Sequence, residues 1–270
     1  MRMTMTLTVK NTISVLSGRF LCLAALFLAV SCGGNAEPET PDEDPVIPGK
    51  IERVSLYSPE LKKQIVTTVW LPAGYDENRT YPFLYLLHGY GDDNDSWIQK
   101  GGASNIADNY IHEKGVPMVI VMPNGLTSFY TGDYESYMHD TLMPEVEKKY
   151  HCNGKRAVAG LSMGGYGSLY HALKYPSKFK YAYAMSPASD EAGFTALASA
   201  HDPIDYPPIT VESGTDDYTV GIGGVRSMVT ALRGCGLNVD FIERAGGHDW
   251  NFWPVCLRKA LVKIGETFNK

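Results

Sequence analysis

The sequence predicts an α/β protein built on one mostly parallel sheet with helices on both faces. Three observations predict it. Short apolar runs recur along the chain from Lys50 onward, as central strands do when both faces are covered. Amphipathic stretches of helical period separate them, and strands alternating with helices imply crossover connections. Once the N-terminal segments are set aside, roughly 220 residues remain, enough for one large core. At 44% hydrophobic and 20% charged residues, the composition matches neither a disordered nor a fibrous chain. The formal net charge of -6, with Lys and Arg scattered, leaves no footprint for nucleic acid.

The N-terminus reads as targeting rather than fold. Arg2, Lys10 and Arg19 precede an apolar run at residues 20–30 (FLCLAALFLAV), too short to span a bilayer with ease. A basic flank before a short apolar stretch is the form of a secretory signal. The run ends in Ala29-Val30-Ser31-Cys32-Gly33-Gly34. Small residues ahead of a Cys resemble a bacterial lipoprotein cleavage box, in which Cys32 is lipidated and becomes the mature N-terminus. Ala29 stands where such boxes usually carry Leu, and the alternative is ordinary cleavage near Ser31 with a soluble product. Residues 33–50 are rich in Pro, Gly and acidic side chains and lack apolar periodicity, so they cannot bury enough surface to order themselves. They read as a flexible tether. The expected organisation is a signal at 1–32, the tether at 33–50 and one domain at 51–270. The only expected membrane contact is the lipid anchor, in the periplasm or at the cell surface. Cys152, Cys235 and Cys256 lie in the domain; export permits one disulfide, and three buried thiols are equally acceptable.

Within the domain, residues 65–71 (IVTTVWL) alternate as a strand. Residues 83–87, 116–122 and 181–185 are continuous apolar runs, and 157–159, 209–212 and 239–242 complete the series. Helical patterns fill the gaps at 106–114, 137–150, 162–175, 225–235 and 252–268. Pro144 kinks or restarts the second, Pro176 stops the third and Gly236 the fourth. No internal repeat and no second domain boundary is visible.

One motif carries chemistry. Gly160-Leu161-Ser162-Met163-Gly164 is G-x-S-x-G, entered by an apolar strand and left by a helix. In such a nucleophile elbow the serine sits on a sharp strand-to-helix turn that exposes its Oγ. The helix N-terminus there favours negative charge. A serine hydroxyl needs a base. Of seven histidines, only His201 and His248 come late enough for the order Ser, acid, His that accompanies an elbow. His248 follows the last strand and precedes the last helix, whereas His201 lies in a polar stretch. The acid should follow a strand between serine and histidine, and residues 209–213 run into Gly214-Thr215-Asp216-Asp217. Spacing does not choose between Asp216 and Asp217. An oxyanion needs two preorganised N–H donors. Met163, after the nucleophile, supplies one. Tyr90, in His88-Gly89-Tyr90-Gly91 behind an apolar strand, supplies the other, and His88 hydrogen-bonds that loop.

Four stretches, LLHGYGDDNDSW, AVAGLSMGGYGSLYHALKYP, GTDD and GGHDWNFW, together resemble the putative-esterase group of α/β-hydrolases. That group includes feruloyl and acetylxylan esterases, tributyrin-type esterases, S-formylglutathione hydrolases and mycolyltransferases. The resemblance covers nearly the whole domain and implies an α/β-hydrolase fold and a serine esterase that needs no metal or cofactor. It places the nucleophile on Ser162, the histidine on His248, the acid on Asp217 and the oxyanion donors on Tyr90 and Met163. The strongest likeness is to carbohydrate-acting esterases that release acetyl or hydroxycinnamoyl groups; the cytosolic formylglutathione branch is at odds with an export signal. The expected partner is thus an ester substrate, an acylated oligo- or polysaccharide.

Aromatic residues crowd the predicted rim. Trp97, Tyr130 and Trp250 are the candidates for stacking on a sugar or cinnamoyl ring, with Phe129 and Tyr134 nearby; the alternative is that they pack the loops. Residues 189–208 are too short for a large lid, which predicts an open site. A general short-chain esterase or acyltransferase is the second functional reading, and a binding protein on a retired hydrolase scaffold the third.

Overall fold

The computed structural model describes residues 44–113 and 115–270. The signal segment, Cys32 and most of the tether lie outside the described residues. Among those described, no helix is long and apolar enough to cross a membrane.

Eight strands form one sheet: β1 (Lys50–Ser58), β2 (Lys63–Leu71), β3 (Tyr81–Leu87), β4 (Val119–Pro123), β5 (Cys152–Leu161), β6 (Tyr181–Met185), β7 (Ile209–Gly214) and β8 (Val239–Arg244). Their spatial order is β1-β2-β4-β3-β5-β6-β7-β8. β1, β2 and β4 pair antiparallel, and every other pairing is parallel. The α/β-hydrolase fold with a mostly parallel sheet is therefore what the chain adopts.

Period-2 alternation divides the core. Phe83, Tyr85, Leu87, Val119, Val121 and Val158 point to one face, and Leu84, Leu86, Ile120, Met122, Ala157 and Ala159 to the other. The second face is covered by α2 (Ala103–His112), which follows the short α1 (Ser96–Gln99), and by the C-terminal helix described last. The first face is covered by a helix in three parts, α3 (Asp133–Ser136), a π-helical turn (Tyr137–Leu142) and α4 (Met143–Lys149). It also carries α5 (Met163–Lys174), α6 (Glu191–Ala198) and α7 (Ile222–Gly234). The last helix, α8 (Trp253–Phe268), closes the chain.

Pro144 accounts for the π turn. Its ring crowds the preceding turn and it has no N–H to donate, so the ladder widens just ahead of it and α4 restarts with Pro144 in its first turn. The helix expected at 137–150 thus begins earlier and is interrupted. Pro82 acts similarly in β3, where the register against β5 shifts between Tyr81 and Phe83.

Two elements exceed the sequence expectations. β1 is an edge strand, its alternate residues Val54 and Leu56 packing inward while Arg53 and Ser55 face water. α6 lies in the stretch expected to be plain loop; Asp190 caps it, its side chain accepting from Gly193 N at 3.0 Å. Cys152, Cys235 and Cys256 are all free thiols.

Candidate active site

The carboxyl ends of β3 to β8 converge on one rim, where open parallel sheets gather ligands. Ser162 stands between β5 and α5 with φ 53° and ψ −113°, a conformation side chains rarely adopt and one that costs about 1–3 kcal/mol. Neighbours hold it there. Its N–H donates to Met185 O at 2.8 Å, and its carbonyl accepts from Tyr166 N at 2.9 Å. The elbow is possible only because its flanks are bare. A Cβ on Gly160 would lie 2.5 Å from Gly164 O and 2.8 Å from Leu87 Cβ, and one on Gly164 would lie 2.7 Å from His88 O. So α5 rests directly on the end of β3.

His248 comes from the loop between β8 and α8. Its Nε2 stands 2.9 Å from Ser162 Oγ, and its Nδ1 stands 2.8 Å from Asp217 Oδ2. Asp217 is buried. Burial pushes its carboxyl up, but the hydrogen bond from His248 and the amide of Val220 outweigh that and hold it below the usual carboxylate range. Its Oδ1 accepts from Thr219 N at 3.1 Å and Val220 N at 3.2 Å. The carboxylate is therefore ionised, fixed in orientation and aimed at one imidazole nitrogen. Asp216 serves elsewhere: it is exposed, its N–H donates to Gly246 O at 3.0 Å, and it ties the β7 and β8 loops together.

The loop after β3 lies against the serine. A Cβ on Gly89 would be 3.5 Å from Ser162 Cβ. Tyr90 is next along this loop, and Met163 is the first residue of α5, where a first-turn N–H has no intrahelical acceptor. His88 braces the loop from beneath, with Nδ1 2.8 Å from Gly89 O and Nε2 accepting from Gly125 N at 2.8 Å. Both nitrogens are thus used, and burial lowers the pKa of the ring and keeps it neutral.

Two of the three expected stacking residues are not at the surface. Tyr130 is fully buried, its hydroxyl accepting from His88 N at 2.9 Å and donating to His88 O at 3.1 Å. Trp97 is also buried, and its indole N–H donates to Leu87 O at 3.0 Å. Neither ring presents a face to a ligand, so both are corrected to supports of the end of β3 and the loop that follows it. Trp250 is half-buried, edge-to-face between Trp97 and Trp253, each at 5.2 Å. Trp253 in turn meets the His248 ring at 5.0 Å.

The accessible aromatic surface lies elsewhere. Phe129 is 36% exposed and sits 6.2 Å from Tyr90 and 5.5 Å from Tyr166, one helical turn beyond Ser162. Its loop is strained: Leu126, Phe129 and Tyr130 all have positive φ, at 56°, 55° and 59°. Consecutive strained residues send one ring inward under His88 and the other outward. Of Tyr90, Phe129 and Tyr166, the sequence marks only Phe129 as a rim aromatic. Tyr166 was hidden because it reads as an ordinary helix residue; its place four residues after the nucleophile was the available signal. Among the described residues, no three His, Cys, Asp or Glu side chains gather as metal ligands would.

Comparison with known proteins follows this geometry. The family model described as "Putative esterase" matches residues 58–264. An endo-1,4-beta-xylanase/feruloyl esterase of Xylanibacter ruminicola is 30% identical over 230 residues, 78% of this chain. The match spans only 31% of that protein, so the chain corresponds to about a third of its length. An acetyl esterase of Caldicellulosiruptor saccharolyticus is 25% identical over 80% of this chain and 98% of its own. A solved ferulic acid esterase superposes with a TM-score of 0.75 at 26% identity, covering 82% of this chain and 99% of that one. The chain belongs to the "Putative esterase" family of α/β-hydrolases and is a serine carboxylic ester hydrolase.

Proposed function

We propose that this esterase removes acyl groups, feruloyl or acetyl, from plant-type polysaccharides through an acyl-enzyme on Ser162. His248 takes the proton from Ser162 as Oγ attacks the ester carbonyl. Asp217 holds the imidazole in the productive tautomer and stabilises its charged form. The Tyr90 and Met163 amides receive the oxyanion of the tetrahedral intermediate. His248 then protonates the leaving alcohol, and next activates the water that frees the enzyme. The observation that carries this reading is the continuous line from Asp217 through His248 to Ser162, with contacts of 2.8 and 2.9 Å.

The substrate reading rests on the file of Tyr90, Phe129 and Tyr166 beside the serine, a surface suited to a planar aromatic acyl group. It also draws on the names of the relatives. Acetyl release is the second reading, favoured by the acetyl esterase that matches nearly end to end. Assays on methyl ferulate, acetylated xylan and p-nitrophenyl butyrate separate these from a general short-chain esterase. Labelling by a fluorophosphonate that disappears in Ser162→Ala tests the nucleophile; labelling that persists sinks the mechanism. Replacing Phe129 with Ala should lower kcat/KM on methyl ferulate by about 10-fold or more, as loss of an aromatic contact and its buried area does. It should spare acetyl esters.

The sequence at residues 20–32 supports export followed by lipidation of Cys32, with residues 33–50 as spacer. Metabolic labelling with a fatty acid, lost in Cys32→Ala, tests this; an unlabelled wild-type protein would favour cleavage near Ser31.

A further inference from the structure

His248 stands in the middle of a loop, residues 245–251, whose two ends are joined by one side chain. Arg244, the last residue of β8, donates through Nη2 to Phe252 O at 2.6 Å, just beyond the far end of that loop. Its guanidinium also stacks 3.5 Å from the centre of the Phe252 ring. That ring in turn occupies the place where a Cβ on Gly246 would stand. The loop is thus closed at its base by a fork bonding one residue and stacking on its ring.

The same guanidinium is tied to the strand that leads to the acid. Its Nε donates to Glu212 Oε1 at 2.6 Å. Glu212 lies in β7, five residues before Asp217, and its side chain is fully buried. Lys259 of α8 reaches the same oxygen at 2.7 Å, and the Tyr183 hydroxyl donates to the other. A buried ion pair adds little net stability, because removing two charges from water offsets most of their attraction. What such a network supplies is fixed geometry. Among the described residues, only Arg244 joins it to the histidine loop; Lys259 and Tyr183 bind the carboxylate from the body of the protein.

We propose that Arg244 is a positioning residue for catalysis: its fork between Glu212 and the Phe252 carbonyl sets the distance from His248 to Asp217 and Ser162. Lysine cannot replace it, since one ammonium lacks the planar fork that serves two acceptors and a ring at once. The inference rests on the reading of His248 as the base.

The test compares Arg244→Lys, Arg244→Gln and Lys259→Met on p-nitrophenyl butyrate, well below each variant's Tm. Arg244→Lys keeps a charge for Glu212 and loses the bridge. It should lower kcat about 10-fold or more with KM within about twofold, the pattern of a displaced catalytic group. Lys259→Met removes an equal charge from Glu212 without touching the loop. Its kcat should stay within about twofold of wild type, even where its Tm falls as far as that of Arg244→Lys. Should Arg244→Gln fail to fold, the lysine variant still decides. Wild-type kcat in Arg244→Lys overturns the proposal, as does an equal loss of kcat in Lys259→Met. Ser162→Ala run alongside separates the two layers: hydrolysis surviving in it defeats the esterase mechanism, whereas its loss with an active Arg244→Lys defeats only the assignment of Arg244.

Discussion

Gly164→Ala offers a sharp test of how closely α5 must approach the loop after β3. A Cβ at this position would lie 2.7 Å from His88 O and nearer still to Leu87 O, both backbone atoms that cannot swing aside. Ordinary contact begins at 3.4 Å, so the start of α5 and the end of β3 must part by at least about 0.7 Å. Overpacking of this kind typically costs about 1–3 kcal/mol. Better helix propensity returns at most about 1 kcal/mol. The larger consequence is for rate. The Met163 amide rides on α5 and the Tyr90 amide on the loop after β3, so the separation opens the space between the two proposed oxyanion donors. Displacements approaching 1 Å cost on the order of 100-fold in turnover. Steady-state kinetics on p-nitrophenyl butyrate, paired with a thermal melt, measures both effects. The expected result is a protein that still folds, with Tm lowered by several degrees and kcat down by about 10- to 100-fold. A variant with wild-type kcat would refute the claim that this contact sets the oxyanion geometry.

Other outcomes follow from the same coordinates. Asp217→Asn should reduce kcat by about 10²- to 10⁴-fold, while Asp216→Asn should change it only severalfold; the reverse order would reassign the acid. Gly223→Ala, in α7 with open space around it, should leave activity unchanged and raise stability by up to about 1 kcal/mol in a urea melt. The hydrogen-bonded pair His139 and His171, with Nε2 of the first 3.0 Å from Nδ1 of the second, predicts acid sensitivity. Burial, then Lys178, lowers the first to about 4, and burial, then His139, lowers the second to about 3. The native state keeps them neutral while the unfolded chain takes up protons below about pH 6.5. Stability is therefore intact above that pH and declines toward pH 4, by up to about 1.4 kcal/mol per pH unit for each histidine. Urea midpoints at pH 7, 6 and 5 report the slope, and His139→Gln should flatten it.

The fold and the reacting groups were legible because local grammar constrains them. Gly160 and Gly164 can be nothing larger where α5 meets β3, and that demand is written as spacing around Ser162. His248 and Asp217 follow strands that periodicity had already located. The choice of Asp217 over Asp216 came from resemblance, since adjacent carboxylates differ only in which way the turn points them. The same limit defeated Trp97 and Tyr130. Both stand in rim loops, as expected, but a loop has no period from which to read inward or outward. Phe129 and Tyr130 are neighbours with nearly the same positive φ and opposite destinations. β1 was missed because a half-exposed edge strand carries little apolar signal. In α6 the clue was the Asp190 cap rather than any hydrophobic stripe.

The indole file beside His248 has a practical consequence. Of the four tryptophans in the chain, Trp97, Trp250 and Trp253 form a single edge-to-face row ending on the imidazole. The fourth, Trp70, is buried in β2. Ultraviolet emission from this protein is therefore weighted toward one corner of the molecule. Motion of the segment carrying His248, or occupancy of the cleft next to it, becomes readable in real time without a dye.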